Sequence, residues 1–159
     1  MPQPSLIASV MYANAARFSD AYHAALAPLC EQTGIAPAAV DILLFLANNP
    51  GCETAGEVCR MRALKPALVS FHVDRLVNEG YLVRGPVPGD RRKTALCLTE
   101  KAAPIVQKGR RLQKAFAEQL SAGLSAEDLA HFRRCIAAFD RNIERIRTEN
   151  LKTTEDQKP

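Results

Sequence analysis

The residues of this 159-residue chain with most scope for chemistry are cations gathered in its middle. Between Arg60 and Lys93 stand eight basic side chains (Arg60, Arg62, Lys65, Arg75, Arg84, Arg91, Arg92, Lys93) against three acids (Asp74, Glu79, Asp90). This segment is +5 in a chain of net +4, so the remainder sums to −1. Such a concentration suits a polyanion, because phosphate contacts dominate nucleic-acid affinity. On charge alone, a solvated basic surface explains it equally well. Other chemistries lack their residues. His23, His72 and His131 are far apart and have no paired spacing with cysteine or carboxylate, so no metal site is expected. No nucleophile elbow, Walker loop or dinucleotide fingerprint occurs, and neither an enzyme active site nor a cofactor is expected. The cysteines, Cys30, Cys52, Cys59, Cys97 and Cys135, are odd in number and scattered, which argues for reduced thiols over a disulfide framework.

The elements that must position the cations can be read from periodicity and punctuation. The chain is 47% apolar with nine aromatics (six Phe, three Tyr) and no Trp, a composition that favours helices around one core. Its longest apolar run, within Ala36 to Ala47, is far short of the roughly 20 residues of a membrane span, so no membrane partner is expected. The start, Met1-Pro2-Gln3-Pro4-Ser5, lacks the charge and apolar block of a signal peptide, and a cytoplasmic location follows as the expectation. Ile7, Met11, Ala15, Phe18, Tyr22, Ala25 and Leu29 recur at helical spacing, predicting a helix over 5–29 with a stop at Thr33-Gly34. Pro37 suits a first helical turn, and Ala38 to Asn48 is apolar almost all round, as a core helix is. After the turn at 48–51, Thr54 can cap a short helix over 55–61.

Pro66 to Glu79 predicts the next helix, stopped by Gly80, with Val69, Val73, Leu76 and Val77 facing inward. His72 reads as a surface residue of this helix within reach of a phosphate. Tyr81–Arg84 and Thr94–Leu98 read as short strands around a loop at 85–90. Thr99 can cap a long helix to about Ser121, with a kink or late start at Pro104. Ser125 and Asp128 resemble a capping box for a last helix ending near Arg147, and the polar residues 149–159 read as a disordered tail.

Helix, short helix, turn, helix, strand, basic loop, strand is the order of a winged helix-turn-helix. The expected class is mainly α with a small β-hairpin wing, flanked by helices suited to dimerisation. The expected segments are 1–33 (dimerisation helix), 34–99 (DNA-binding region), 100–148 (dimerisation helices) and 149–159 (tail), forming one compact domain overall. In this arrangement the second helix lies in the major groove while flanking groups grip phosphates. Its outward face offers Ala67, Ser70, Phe71, Asp74 and Arg75.

The run Val73-Asp74-Arg75-Leu76-Val77-Asn78-Glu79-Gly80-Tyr81-Leu82-Val83-Arg84, followed by Asp90-Arg91-Arg92-Lys93 and Leu96-Cys97-Leu98-Thr99, resembles the MarR (multiple-antibiotic-resistance regulator) family. The pattern is D-R-L, a Gly closing the recognition helix, an Arg after the first wing strand, D-x-R, then L-x-L-T. With the helices on both sides, the resemblance covers roughly residues 5 to 147. It implies a homodimer, a recognition helix in the major groove and a wing in the minor groove. Asp90 is then expected to brace Arg92, and Arg92 to enter a narrow minor groove. The alternative is that Asp90 and Arg92 are merely a surface salt bridge. Residues expected at the DNA are therefore Arg60, Arg62, Lys65, Ala67, Ser70, Phe71, His72, Arg75, Arg84, Asp90, Arg91, Arg92 and Lys93. Two positions depart from the family: Lys65-Pro66-Ala67 stands where Ser or Thr commonly starts the recognition helix, and Phe71 where a polar or basic residue is frequent. Phe71 either touches thymine methyls or is tucked inward.

Leu129, Phe132, Ile136, Phe139, Ile143 and Ile146 fall at heptad spacing, a seam for a second copy or for the chain's own first helix. With Ile7 and Met11 they are the expected dimer interface, and a dimer of such readers implies a near-palindromic operator. Family resemblance also implies a small effector, aromatic or phenolic, beside Tyr12, Arg17, Tyr22 and His23, whose binding would release a repressor. The alternatives are a protein-interaction module that has lost DNA binding, and a thiol-based redox sensor using Cys30; Cys59 and Cys97 read as fillers of core or interface gaps.

Overall fold

The computed structural model describes residues 4–51, 53–87 and 89–155, and the side chains of all of these except 4–7, 91 and 150–155. The elements run α1 (Pro4–Thr33), α2 (Pro37–Asn48), α3 (Ala55–Arg62), α4 (Pro66–Asn78), β1 (Leu82–Val87), β2 (Asp90–Leu98), a single 3-10 turn (Glu100–Ala102), α5 (Ala103–Leu120) and α6 (Ala126–Glu155). They form the mainly helical winged helix-turn-helix that the pattern predicts. Packing divides the chain into two compact units, 1–117 and 118–159, where one compact domain overall was expected.

In the first unit, α2 is the centre of the core. Val40, Ile42, Leu43, Leu44 and Phe45 are all buried, so every side of this helix must be covered. Leu26 and Leu29 of α1, Val58 of α3, Val69, Val73 and Leu76 of α4, Leu82 and Leu96 of the strands, and Ile105 and Val106 beyond them supply the cover. Gly109 of α5 lets that helix approach most closely: a Cβ there would stand 2.6 Å from Leu44 Cδ2. At Pro104 the chain makes a late start, the 3-10 turn preceding α5. Thr99 does not cap it with its side chain; its Oγ1 donates to Gly80 O (2.7 Å) and Tyr81 O (3.2 Å) instead.

Helix α3 begins with a complete capping box, in which Thr54 Oγ1 accepts from Glu57 N and Glu57 accepts from Thr54 N (2.9 Å). Two side chains expected at the DNA are drawn inward here. Arg62 lies 3.3 Å from the buried Asp41 carboxylate, at an angle too poor for a hydrogen bond, with its guanidinium 5.3 Å from the Phe45 ring centroid. Burial raises the Asp41 pKa despite the lowering influence of Arg62. The pair thus ties α3 to α2, because either charge left alone in this setting would be costly. His72 is only 7% exposed, on the inward stripe of α4 between Val69 and Leu76, and cannot reach a phosphate. Helical periodicity explains the correction: position 72 is three residues after Val69 and four before Leu76, so it falls on the apolar face.

A Schellman motif closes α4. Gly80, at φ +78°, lets its N–H reach Val77 O (3.0 Å) and the Tyr81 N–H reach Leu76 O (2.8 Å). Lys101 Nζ donates to the carbonyl of Glu79 (2.7 Å) while lying over the Tyr81 ring. The strands pair antiparallel, Leu82 with Leu98, Arg84 with Leu96 and Pro86 with Thr94, and then an irregularity pairs Val87 with Asp90. Residues 85–87 are therefore strand, not loop. In a two-stranded ribbon each strand has a free edge, so Pro86, which has no N–H to give, is tolerated.

In the second unit, the Ser125–Asp128 capping box is formed: Ser125 N donates to Asp128 Oδ2 (2.9 Å) and Asp128 N to Ser125 Oγ (3.1 Å). Helix α6 continues to Glu155, eight residues past the expected end near Arg147, so 149–155 is helix and not tail; residues 156–159 lie outside the described residues. Its apolar seam is open to solvent, with Phe132 60%, Ile143 48% and Ile146 50% exposed.

The position of His72 has a pH consequence. Desolvation, then the nearby Arg75 charge, lowers its pKa below the ordinary 6.5. Above 6.5 both folded and unfolded chains hold it neutral. As pH falls from 6.5 through the folded-state value, the unfolded chain takes up the proton first and stability is lost. Urea denaturation of wild type and His72→Leu across this range should show the wild type losing ground to the variant on acidification; parallel curves would contradict it.

Candidate nucleic-acid interface

Four of the expected DNA-facing cations are already engaged by carboxylates, Lys93 at the wing and three others, Arg62, Arg75 and Arg84. Arg84 of β1 pairs with Asp74 of α4, and this contact clamps the base of the wing to α4. Arg75 Nε donates to Glu79 Oε1 at 2.7 Å, one turn further along α4. Arg62 belongs to Asp41. All three pairs were missed by reading charges as a sum, because a count does not say which acid a cation faces. The D-R-L…R spacing held the one available signal for the Asp74–Arg84 pair.

At the wing, Asp90 accepts the main-chain N–H of Arg92 (3.0 Å) and pairs with Lys93 Nζ (3.3 Å). These contacts, that to the Arg92 N–H first, lower the Asp90 pKa. The expected bracing is thus altered: Asp90 holds the backbone of Arg92 and the side chain of Lys93, not the Arg92 guanidinium. Main-chain N–H groups and a short carboxylate suit each other two residues apart, as in an Asx turn. The exposed Arg92 guanidinium makes no ion pair with a described residue, nor do Arg60, in the last turn of α3, and Lys65, at the N-cap of α4. The side chain of Arg91 lies outside the described residues. With Asp74, Glu79 and Asp90 all committed, the local excess of charge is carried by Arg60, Lys65 and Arg92 together with Arg91.

The outward face of α4 is apolar where it would meet a groove. Phe71 is 60% exposed, which resolves its orientation: it points out. Ala67 and Ser70 are exposed beside it, and so is Leu68, which the sequence had not singled out. Leu68 is one residue off the inward stripe, and its type alone suggested core.

The other expected sites are distributed unevenly. Phe18, Tyr22 and Phe116 form an aromatic cluster, with Phe116 edge-on to Phe18 (5.5 Å between centroids) and to Tyr22 (5.8 Å). Gln113 Nε2 donates to the Tyr22 hydroxyl (2.5 Å), and burial raises the Tyr22 pKa against the lowering influence of that bond. His23 is next to this cluster, its ring 6.0 Å from that of Tyr22. Tyr12, 83% exposed, is not gathered into it: ten residues along α1 is about 15 Å. Arg17 is exposed. Met11 is exposed, and the side chain of Ile7 is outside the described residues. Burial pushes the Cys30 thiol up, opposite to what a reactive thiolate needs. Cys59 is half-buried against the core, Cys97 is exposed rather than filling a gap, and Cys52 lies outside the described residues. Among the described residues, no three His, Cys, Asp or Glu side chains are grouped to hold a metal, and no single helix is long and apolar enough to cross a membrane.

Residues 33–93 match the model of the MarR family. Among solved structures, the transcriptional regulator PA3341 is 21% identical, with 85% of this chain and 98% of that one covered at a TM-score of 0.75. A MarR-family regulator from Listeria monocytogenes complexed with 26mer DNA is 12% identical, with 93% and 96% covered and a TM-score of 0.74. CouR from Rhodococcus jostii RHA1, bound to p-coumaroyl-CoA, is 19% identical, with 84% and 90% covered and a TM-score of 0.66. At such identities the structural likeness speaks for the fold, and the family match speaks for the segment that carries the recognition helix and wing. By that match the segment 33–93, which holds α2, α3, α4 and the start of the wing, is similar to the MarR family, and the solved structures give the whole chain the winged-helix fold of such regulators.

Proposed function

We propose that the protein is a repressor-type regulator that binds a near-palindromic operator as a homodimer and is released by a small aromatic or phenolic effector. The observation that carries the reading is the wing, where Asp90 grips the backbone at Arg92 and leaves its guanidinium exposed and without a described acidic partner. A cation held this way has less freedom to lose on entering a minor groove, where a narrow A·T tract attracts it. Arg60 and Lys65, on either side of the turn between α3 and α4, add phosphate contacts. The DNA complex of the Listeria relative makes a duplex the natural partner for this fold.

Two copies are supported by the open seam of α6, since Phe132, Ile136, Phe139, Ile143 and Ile146 repeat at heptad spacing and are all exposed. Val10 and Met11 of α1 add exposed apolar surface of the same kind. The effector reading is favoured by the Phe18–Tyr22–Phe116 cluster, whose ring faces and Tyr22 hydroxyl suit an aromatic acid, with Arg17 and His23 as sources of charge and Tyr12 set apart. CouR is a relative of the same fold that holds an aromatic acyl thioester. Cys30 redox sensing has no comparable support.

Three outcomes are expected. Arg92→Glu should weaken binding to an operator selected from randomised duplexes by tenfold or more and flatten the slope of log affinity against log salt by about two, one per subunit; an unchanged slope removes the wing from the interface. Phe139→Glu should convert a dimer to monomers in analytical ultracentrifugation, and a wild type that already sediments as a monomer would end the palindromic scheme. A panel of aromatic acids should raise the melting temperature of wild type and not of Phe116→Ala; a flat wild-type response counts against an effector at this cluster.

A further inference from the structure

Resting on the DNA-binding reading above, we infer that α4 selects thymine in each half-site, through an apolar ridge made by Leu68 and Phe71. The N-terminal half of a recognition helix is the part that meets base edges. Here that half presents Ala67, Leu68 and Phe71 to solvent, with Leu68 40% and Phe71 60% exposed. The Phe71 ring is supported from below, standing edge-to-face 5.2 Å from the buried His72 ring.

Two charged side chains of α4 that could read other bases, Asp74 and Arg75, are engaged by neighbours. An arginine fork on guanine N7 and O6 is the commonest specific contact, but Arg75 is bound to Glu79. Asp74, which could accept from cytosine N4, is bound to Arg84. Ser70 is left as the exposed polar side chain between Ala67 and Phe71. Pressing a phenylalanine and a leucine against groove atoms that accept or donate hydrogen bonds would strip those atoms of water without replacement, which is unfavourable. Thymine alone among the four bases offers an apolar group in the major groove, its C5-methyl. Arg60, Lys65 and Arg92, which form no ion pair with a described residue, favour a polyanion as the partner over another apolar protein face. The inference gives the A·T preference of the wing a counterpart in the major groove.

Deoxyuridine differs from thymidine only by that methyl group and provides the test. Operators are selected from duplexes with randomised centres, footprinted, and resynthesised with deoxyuridine at single positions protected by α4. Wild type should lose about fourfold in affinity per methyl removed, the factor matching ~0.8 kcal/mol for one buried methyl-sized group, and about sixteenfold for the symmetric pair. Phe71→Ala, altered at an exposed position, should bind the thymine and uracil duplexes equally while keeping the wild-type salt dependence. Equal wild-type affinity for the two duplexes, or G·C pairs at the positions α4 protects, would overturn the inference and leave the regulator intact. Failure to enrich any duplex, with no salt-dependent binding, would remove both the regulator reading and this one.

Discussion

The structure depends on one constraint: α2 is apolar almost all round, the buried Asp41 excepted, and so must be enclosed on all sides. Val40 to Phe45 are essentially without solvent contact, and no single partner could achieve that. Leu26 and Leu29 close one side, Val58 and the stripe of α4 another, and Leu82, Leu96, Ile105 and Val106 the rest. Burying such side chains is worth about 1.5–3 kcal/mol each, so the enclosure dominates the energetics of the unit. It also sets function, because α3 and α4 can satisfy α2 only with their apolar faces, which turns their remaining faces outward together.

What those outward faces display is governed by how charge is shared. A sum over residues 60–93 suggests a broad cationic field. In space the field is narrower, since Arg62, Arg75 and Arg84 each meet a carboxylate and two of those pairs serve as joints: Arg62–Asp41 between α3 and α2, Arg84–Asp74 between wing and α4. Exposed ion pairs contribute little to stability, about 0–1 kcal/mol. Their value here is geometric, in fixing the wing relative to α4 and in leaving Arg92, Arg60 and Lys65 without an ion pair among the described residues.

The unequal legibility of the site has the same origin. Helix limits were readable because Pro37, Pro66, Thr54, Gly80 and the Ser125–Asp128 box are local signals, and local signals act through backbone geometry. The wing strands were underestimated because Gly85 and Pro86 argue against a sheet interior, and a ribbon of two strands has none. His72 and Phe71 are neighbours in sequence with opposite fates, one buried and one exposed, and residue type gave no basis for telling them apart. Helical phase did hold that basis for His72, through Val69 and Leu76. Gln113, which supports the Tyr22 hydroxyl from 91 positions away, had no signal in the chain at all.

Sequence alone therefore determined which segments are helices, where the hairpin falls, that α2 is the core, and which family the winged-helix segment resembles. Each of these rests on short-range periodicity, on capping chemistry or on a motif with set spacing. Tertiary structure alone decided which acid takes which cation, which face of α4 carries Leu68 and Phe71, and that Asp90 holds the Arg92 backbone instead of its side chain. Those outcomes depend on distances between residues remote in the chain, on helical phase relative to a core or, at Asp90, on the backbone conformation of the wing turn, and none of these is contained in composition or charge.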